Sequence, residues 1–188
     1  MRRLSVFESV TLDGYFTGRD GDLSWAHAGA DDPEFGRFIA GNASGEGTLL
    51  FGRKTYEMMV AYWPTPAAAK NDPKVAEGMN HMTKHVFSRS LENASWSHTT
   101  VMKGDLGHEV VDLKEGAATD LVILGSGSLV AQLAGTGLID EYQLVVCPVV
   151  LGGGRTLFEG LAKRLDLRLT ESRAFANGKV FLRYAAGS

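Results

Sequence analysis

The 188-residue sequence has very little cysteine and no long hydrophobic run. Its single cysteine, Cys147, excludes an intramolecular disulfide and favours a reducing compartment. No uncharged apolar segment reaches the roughly 20 residues that a membrane-spanning helix requires. The first eight residues carry two arginines without the apolar core of a secretory signal. We therefore expect a cytoplasmic protein with no membrane partner.

The sequence also lacks an excess of charge of either sign. The net charge is −3 and 22% of residues are charged, so nothing draws the whole molecule to nucleic acid. An anionic ligand would need a local cluster of donors. Hydrophobic residues make up 44% of the chain, an ordinary value for a globular protein, and the length suits one domain over residues 1–188.

Two classes of catalytic site have no support in the sequence. The histidines show no metal-ligand spacing with carboxylates or with Cys147, so we expect no metal site; they are His27, His81, His85, His98 and His108. Ser126 and Ser128 flank Gly127, but no Gly-x-Ser-x-Gly elbow is present, which disfavours covalent hydrolysis.

The most informative stretch covers residues 120–133. The apolar run Leu121–Leu124 predicts a buried strand, and Leu129, Val130 and Leu133 have helical spacing. The four residues between them, 125–128, alternate glycine and serine. A strand that turns through glycine into a helix directs free backbone N–H groups at one point, which suits a phosphate.

The rest of the chain alternates predicted strands with predicted helices. Strands are expected at 4–10, 48–51, 85–87, 99–102, 121–124 and 139–150, and helices from Pro33 to about Gly41, from Gly52 onward and at 105–115. Residues 62–82 read as a loop with one short helix after Pro73. Asn177-Gly178 between two alternating runs predicts a hairpin. This order favours an α/β protein with a mostly parallel sheet, helices on both faces and an antiparallel C-terminal edge.

Three predicted strand ends carry small or basic residues, namely 52–55, 88–90 and 125–128. Ligands bind beyond the carboxyl ends of strands in open parallel sheets, so these loops are expected to converge. Arg53 and Arg89, with the hydroxyls of Thr55 and Ser88, suit a dianionic phosphate. The glycine turn suits a pyrophosphate, and one nucleotide with both groups is NADP.

Each of these loops also has a simpler interpretation. Gly125 and Gly127 could form an ordinary tight turn, and the third position of a Rossmann glycine fingerprint is Val130. Arg53 and Lys54 could be solvated residues in the first turn of a helix. First-turn cations oppose the helix dipole, however, which favours an anionic ligand near them.

Six segments together resemble the bacterial dihydrofolate-reductase-like proteins related to the C-terminal reductase domain of bifunctional riboflavin biosynthesis enzymes. In order, the segments are Thr11-Leu-Asp-Gly-Tyr-Phe16, Leu50-Phe-Gly-Arg-Lys-Thr-Tyr-Glu57, Val86-Phe-Ser-Arg89, Leu124-Gly-Ser-Gly127, Leu138-Ile-Asp-Glu-Tyr142 and Pro148-Val-Val-Leu-Gly-Gly-Gly-Arg-Thr-Leu-Phe158. The likeness covers nearly the whole chain. As a set, the motifs are more specific for the fold than for a substrate.

The resemblance implies a three-layer αβα fold with NADPH across the carboxyl ends of the strands. It assigns the adenosine 2′-phosphate side to one group of residues and the pyrophosphate to another; the first comprises Gly52, Arg53, Lys54, Thr55, Ser88 and Arg89, and the second Gly125, Ser126, Gly127, Ser128 and Leu129. It also implies a homodimer, for which the apolar strand around 142–150 is a candidate interface.

The sequence departs from the family pattern at the substrate side. Riboflavin reductases carry a basic residue after the first Asp-Gly pair, where this chain has Tyr15. The fused deaminase and its zinc signature are absent. No arginine suited to a folate tail precedes the third strand, where residues 80–84 read Asn-His-Met-Thr-Lys. Asp31, Asp32 and Glu34 lie near the position of the family's helix acid, but Asp32 has the pattern of a helix cap.

The predicted activity is hydride transfer from NADPH to a small heterocyclic substrate of pyrimidine or pterin type, such as 5-amino-6-(5-phosphoribosylamino)uracil. Asp13, with Tyr15 beside it, is the candidate catalytic residue, although Asp13-Gly14 also fits a structural turn. Trp25 and Trp63 are candidates for the substrate side. Two alternatives stay open, a non-catalytic NADPH-binding sensor module and a plain dihydrofolate reductase.

Overall fold

The computed structural model describes residues 1–29, 31–43 and 47–187. The strands are β1 Leu4–Thr11, β2 Tyr15–Thr17, β3 Thr48–Gly52, β4 Thr83–Phe87, β5 Thr99–Met102, β6 Leu121–Leu124, β7 Glu141–Cys147, β8 Arg155–Thr156, β9 Leu167–Ala174 and β10 Val180–Ala186. The helices are α1 Ser24–His27, α2 Pro33–Ala43, α3 Arg53–Val60, α4 Pro66–Asn71, α5 Pro73–His81, α6 Leu106–Gly116 and α7 Gly127–Leu133.

Eight of the strands form one sheet in the order β5-β4-β3-β6-β1-β7-β10-β9. The first six are parallel, and β10 pairs antiparallel with both β7 and β9. The short strands β2 and β8 form a separate antiparallel ribbon. The prediction of a mostly parallel mixed sheet with an antiparallel C-terminal hairpin is confirmed.

Alternation along the strands divides the apolar residues between two faces of the sheet, as the pleat requires. On one face, Val6 of β1 and Leu50 of β3 pack with α6 and α7. On the other, Phe7 of β1 packs with α1 and α2, and Phe51 of β3 packs with α3 and α5. The sheet therefore lies between two helical layers.

The predicted helix cap at Asp32 and the predicted hairpin turn at Asn177-Gly178 are both present in the structure. Asp32 Oδ1 accepts hydrogen bonds from the backbone N–H groups of Glu34 (2.8 Å) and Phe35 (3.2 Å), so it caps α2. Gly178 adopts a φ of +83° in the turn between β9 and β10, a conformation that glycine adopts without strain. None of the helices in the described residues is both long and apolar enough to span a membrane.

Within residues 62–82 the predicted helix after Pro73 is confirmed as α5, but the loop predicted before it is wrong in part, because it contains a second helix, α4. Each helix begins with a proline, Pro66 and Pro73, at its first position, and Thr65 Oγ1 accepts the Ala68 N–H to cap α4. Proline is tolerated at the first position because that N–H has no intrahelical acceptor. These prolines therefore start helices instead of breaking them.

The strand predicted at 139–150 is shorter in the structure, and its suggested role as a dimer interface stays a prediction. β7 ends at Cys147 and pairs along both edges, with β1 and with β10. Tyr142, Val145 and Cys147 are buried within the chain itself. Of the apolar residues in this region, Val150 is exposed, but it lies beyond the strand. The homodimer itself stays a prediction.

Candidate functional site

The carboxyl end of β6 is the point where the sheet's connections change sides. The chain leaves β1 and β3 toward the face that carries α1, α2 and α3, whereas it leaves β6 toward the face that carries α7. A crevice forms where neighbouring connections diverge in this way, and it is the usual ligand position in open α/β sheets. The three predicted phosphate loops lie around this crevice.

Two of the loops, after β3 and after β6, are in direct contact. The Gly52 N–H donates a 2.8 Å hydrogen bond to Ser126 Oγ, and this bond is buried. A Cβ atom on Gly52 would lie 3.5 Å from Ser128 Oγ and 3.8 Å from the Leu129 side chain. The end of β3 and the start of α7 therefore meet at van der Waals distance, which the sequence predicted only from parallel-sheet geometry.

Arg53 joins the third loop to this pair. Its Nη1 donates to Ser90 Oγ at 2.7 Å, and its Nε pairs with Glu57 Oε1 at 2.6 Å. Ser88 Oγ accepts the backbone N–H groups of Ser90 and Leu91 and so shapes the turn after β4. A cation and two hydroxyls thus lie together at the carboxyl ends of β3 and β4.

Arg89 and Lys54 are exposed on the rim of these loops. The hydrogen bond from the His108 N–H is the main cause that lowers the pKa of Asp105, and the positive charge of Arg89 adds to it. The first turn of α3 contains no acidic residue, and neither does that of α7. Both turns therefore keep the positive potential of a helix start.

The turn after β6 has an unusual backbone. Gly125 and Ser126 both have positive φ, +61° and +62°, and the strain at Ser126 is offset by its buried hydrogen bond to Gly52. The N–H groups of Gly127 and Ser128 lie in the first helical turn, where no intrahelical acceptor exists. The Leu129 N–H already donates to the Ser126 carbonyl (2.8 Å) and its side chain is buried, so it offers little to a ligand.

Gly127 also permits close contact with the loop that follows β1. A Cβ atom there would lie 2.4 Å from the Phe16 ring, so only glycine allows the ring to rest on this turn. Phe16 belongs to β2, whose partner β8 contributes Arg155, with its guanidinium carbon 5.5 Å from the ring centre. The β2–β8 ribbon therefore covers one side of the crevice.

Asp13, the candidate catalytic residue, is engaged as a loop anchor. Its carboxylate accepts hydrogen bonds from Thr11 Oγ1 (2.6 Å) and from the backbone N–H groups of Leu151 (3.1 Å) and Gly152 (2.8 Å). The Thr11 hydroxyl, with the two backbone donors, lowers the pKa of this exposed carboxyl. These contacts fasten the loop after β1 to the glycine loop 151–154 and favour the alternative of a structural turn. Its catalytic role stays a prediction.

The other predicted substrate-side residues lie apart from one another. Tyr15 is half-buried in β2, and its backbone N–H donates to Thr11 Oγ1. Trp25 is buried with Phe35 in the cluster beside α2, whereas Trp63 packs in the cluster formed by α3 and α5. Both tryptophans are on the face opposite α7, but their indole N–H groups already have partners, the Asp22 carbonyl and the Met59 sulfur.

Glu8 on β1 also lies at the crevice, although no sequence motif indicated it. The available signal was a single ionisable residue inside an otherwise uncharged buried strand, Leu4–Thr11. Glu8 Oε1 accepts the Ser9 N–H at 3.0 Å, and Oε2 lies 3.8 Å from the position of a Cβ atom on Gly125. Burial raises the pKa of this carboxyl to about 8, while the Ser9 N–H acts in the opposite direction.

A cavity of about 800 Å³ lies elsewhere, between α6 and the amino ends of the strands. Thr48 and Thr83 line it together with the acids Glu109 and Asp112. Carboxylates without a nearby lysine or arginine in the lining do not suit a phosphate, so we assign the candidate site to the crevice at β6. Among the described residues, no group of three or more His, Cys, Asp or Glu side chains is arranged to hold a metal ion.

Comparisons with known proteins identify the family and the fold of the chain. The family model described as the RibD C-terminal domain matches residues 2–181. The protein YyaP of Bacillus subtilis (strain 168), whose function is uncharacterised, is 30% identical over 183 residues, covering 97% of this chain and 94% of YyaP.

Two solved structures are similar over nearly the whole chain. A protein from Shewanella sp. PV-4, provisionally assigned to riboflavin biosynthesis, has a TM-score of 0.74 at 22% identity, with all of both chains covered. Dihydrofolate reductase from Enterococcus faecalis, solved with NADP(H), has a TM-score of 0.67 at 16% identity, covering 99% of this chain and 97% of that one. The described residues therefore have the dihydrofolate-reductase-like fold.

Proposed function

Because this chain belongs to the RibD C-terminal domain family, we propose that it is an NADPH-dependent reductase of a small heterocycle of pyrimidine or pterin type. The observation that carries the proposal is the chain of contacts at the crevice, Gly52 to Ser126 and Arg53 to Ser90. It joins a cationic, hydroxyl-rich end to a glycine turn, the two environments that a 2′-phosphate and a pyrophosphate require.

NADPH would lie along the sheet edge in the order β4, β3, β6, β1. The 2′-phosphate would meet Arg53 with Ser88 and Ser90, since a guanidinium and hydroxyls form charge-assisted hydrogen bonds with phosphate oxygens. The pyrophosphate would meet the first-turn N–H groups of Gly127 and Ser128. Arg89 and Lys54 would add favourable charge from the rim.

The chemistry that the bound cofactor supplies is a hydride equivalent for an electrophilic carbon of a C=N or C=O group. The chain's own contribution is orientation and the exclusion of water, which the crevice and the β2–β8 ribbon would provide. Asp13 would hold the loop after β1 against the 151–154 loop, so the wall of the crevice would keep its shape.

The dihydrofolate reductase alternative has less support at the end of α5 and the start of β4. Lys84 is buried, and its Nζ donates to the carbonyls of Asn80, Met82 and Ser97. The Asn80 side chain accepts the Trp96 indole N–H at 2.7 Å. Neither side chain is available to hold the glutamate tail of a folate. A substrate without such a tail suits this segment better.

The test of the proposed function is a comparison of NADPH and NADH by thermal unfolding. A cofactor that binds at least tenfold more tightly adds about 1.4 kcal/mol of stability at equal ligand excess, which corresponds to about 3–6 °C for a chain of this size. We expect NADPH to raise the Tm more than NADH by at least this amount. Equal shifts would remove the 2′-phosphate site, and no shift from either cofactor would refute the function.

A non-catalytic NADPH-binding module is separated from a reductase by turnover. Oxidation of NADPH in the presence of reducible pyrimidines or pterins, measured as the loss of NADPH absorbance, supports a reductase. Tight NADPH binding with no oxidation by any member of a broad panel favours the sensor module.

A further inference from the structure

Strand β1 extends beyond its neighbour β6 at the crevice. Their pairing ends at Phe7 opposite Leu124, with one further bond of 3.0 Å from the Gly125 N–H to the Phe7 carbonyl. The pairing of β1 with β7 continues to Thr11. Since alternate residues of a strand direct their backbone groups to the same side, Ser9 directs its N–H toward the side where β6 has ended. In the described part of the chain, no strand pairs with this edge of residues 8–11.

The Glu8 side chain turns toward this open edge. Its Oε1 accepts the Ser9 N–H, and so occupies a donor that would otherwise face the crevice. Its Oε2 lies 3.8 Å from the position of a Cβ atom on Gly125, and Thr55 Oγ1 lies 3.7 Å from the same position. The carboxyl group therefore borders the space enclosed by β1, the turn after β6 and the first turn of α3.

The groups that face Glu8 from neighbouring elements do not neutralise it. β6 and α7 contain no ionisable residue. On α3, Arg53 is paired with Glu57 and Lys54 is exposed, and on β8 the charged group of Arg155 lies over Phe16. In the described residues, no ion pair includes Glu8. Burial raises the pKa of Glu8 to about 8, so the protonated form predominates at pH 7.

The position of Glu8 along the sheet edge identifies the part of the ligand that it would meet. This step rests on the proposed function, in which the 2′-phosphate lies at β4 and β3 and the pyrophosphate at β6. The next strand in the sheet is β1, so the nicotinamide half of the cofactor would reach Glu8. A protonated carboxyl complements a primary amide, because its O–H donates to the amide oxygen while its C=O accepts an amide N–H.

We propose that Glu8 recognises the carboxamide of the nicotinamide ring in its protonated form, and that ionisation of Glu8 opposes cofactor binding. The ionised group has no donor for the amide oxygen and adds a negative charge close to the pyrophosphate. When the cofactor binds, the carboxyl leaves the Ser9 N–H, which then faces the ligand. Glu8 is thus a residue that contacts the cofactor and makes its affinity dependent on pH.

The test compares NADPH with adenosine 2′,5′-bisphosphate, which has the phosphates of the adenosine half but no nicotinamide. If only the protonated form of Glu8 binds NADPH, the Kd measured by calorimetry rises about tenfold from pH 7 to pH 9. The bisphosphate reaches neither β1 nor Glu8, so its Kd changes by less than about twofold. Glu8→Gln keeps the amide complementarity without a titrating proton and removes the NADPH pH dependence.

Glu115→Gln is the matched control, because Glu115 is an exposed acid on α6, and it should bind both ligands like the wild type. Retained bisphosphate binding by Glu8→Gln shows that this variant is folded. Lys84 also titrates near pH 8, since burial lowers its pKa, but it is present in all three proteins and affects them equally.

Two results would overturn the role of Glu8 alone: an NADPH pH dependence that persists in Glu8→Gln, or one of equal size for the bisphosphate in the wild type. Failure of the wild type to bind either ligand at pH 7 refutes the proposed function, and the role of Glu8 with it.

Discussion

Replacement of Arg53 by alanine should selectively weaken the binding of NADPH. A hydrogen bond to a charged group contributes about 1.5–3 kcal/mol, and the lower end applies because the Arg53 side chain is 45% exposed. A loss of about 1.5 kcal/mol raises the Kd of NADPH roughly tenfold. NADH lacks the 2′-phosphate, so its Kd should change by less than about twofold.

The same substitution should cost little stability in the free protein. Arg53 pairs with Glu57 and Ser90 at the surface, and exposed ion pairs contribute about 0–1 kcal/mol. Arg164→Ala removes a comparable exposed pair, with Asp166, next to β9 at the far edge of the sheet, and serves as the matched control. The measurement is the calorimetric Kd of NADPH and of NADH for the wild type and both variants. An equal loss of NADPH and NADH affinity, or no loss at all, would refute the assignment of Arg53 to the 2′-phosphate.

Two further predictions concern the loop that follows β1. Asp13→Asn should lower the Tm at neutral pH, because Asp13 has a lowered pKa and its carboxylate holds the 151–154 loop. The stability that this carboxylate contributes is present above the unfolded pKa of about 3.9 and is lost as the pH falls through the folded pKa. A Tm difference between variant and wild type that persists unchanged at pH 2 contradicts this role. Gly127→Ala should destabilise by about 1–3 kcal/mol through overpacking against Phe16. In a Phe16→Ala background, Gly127→Ala should be neutral or stabilising by up to about 1 kcal/mol, since alanine is the better helix former. A double-mutant cycle measured by chemical denaturation tests this. An equal loss of unfolding free energy in both backgrounds would show that the contact with the Phe16 ring is not the cause.

The role of Asp13 illustrates how a motif can be located correctly and still leave its function open. The Asp13-Gly14 pair predicts a turn, and the structure places this turn beside the crevice at β6. Whether the carboxylate faces a ligand or the protein depends on the 151–154 loop, which is about 140 residues away in sequence. Its N–H groups are the partners of Asp13, and no local pattern around residue 13 indicates them.

The outcome at residues 62–82 has a different cause. The prolines and poor patterning of residues 62–72 favour a loop, although proline at a first helical position, as Pro66 in α4, is compatible with a helix. The helix without a sequence signal is α4, which has six residues and buries Ala68, so it lacks the apolar periodicity that indicates a helix.

The sequence by itself determined the order of the main strands and helices, the mostly parallel sheet and the antiparallel C-terminal hairpin. Alternation, helix caps and glycine turns are local properties, and each is encoded within about ten residues. Only the tertiary structure decided that β6 lies between β3 and β1. That arrangement leaves an open edge on β1, brings Glu8 to it and joins Gly52 to Ser126. These contacts connect residues distant in sequence, and hydrophobic packing of the whole sheet sets them rather than any single motif.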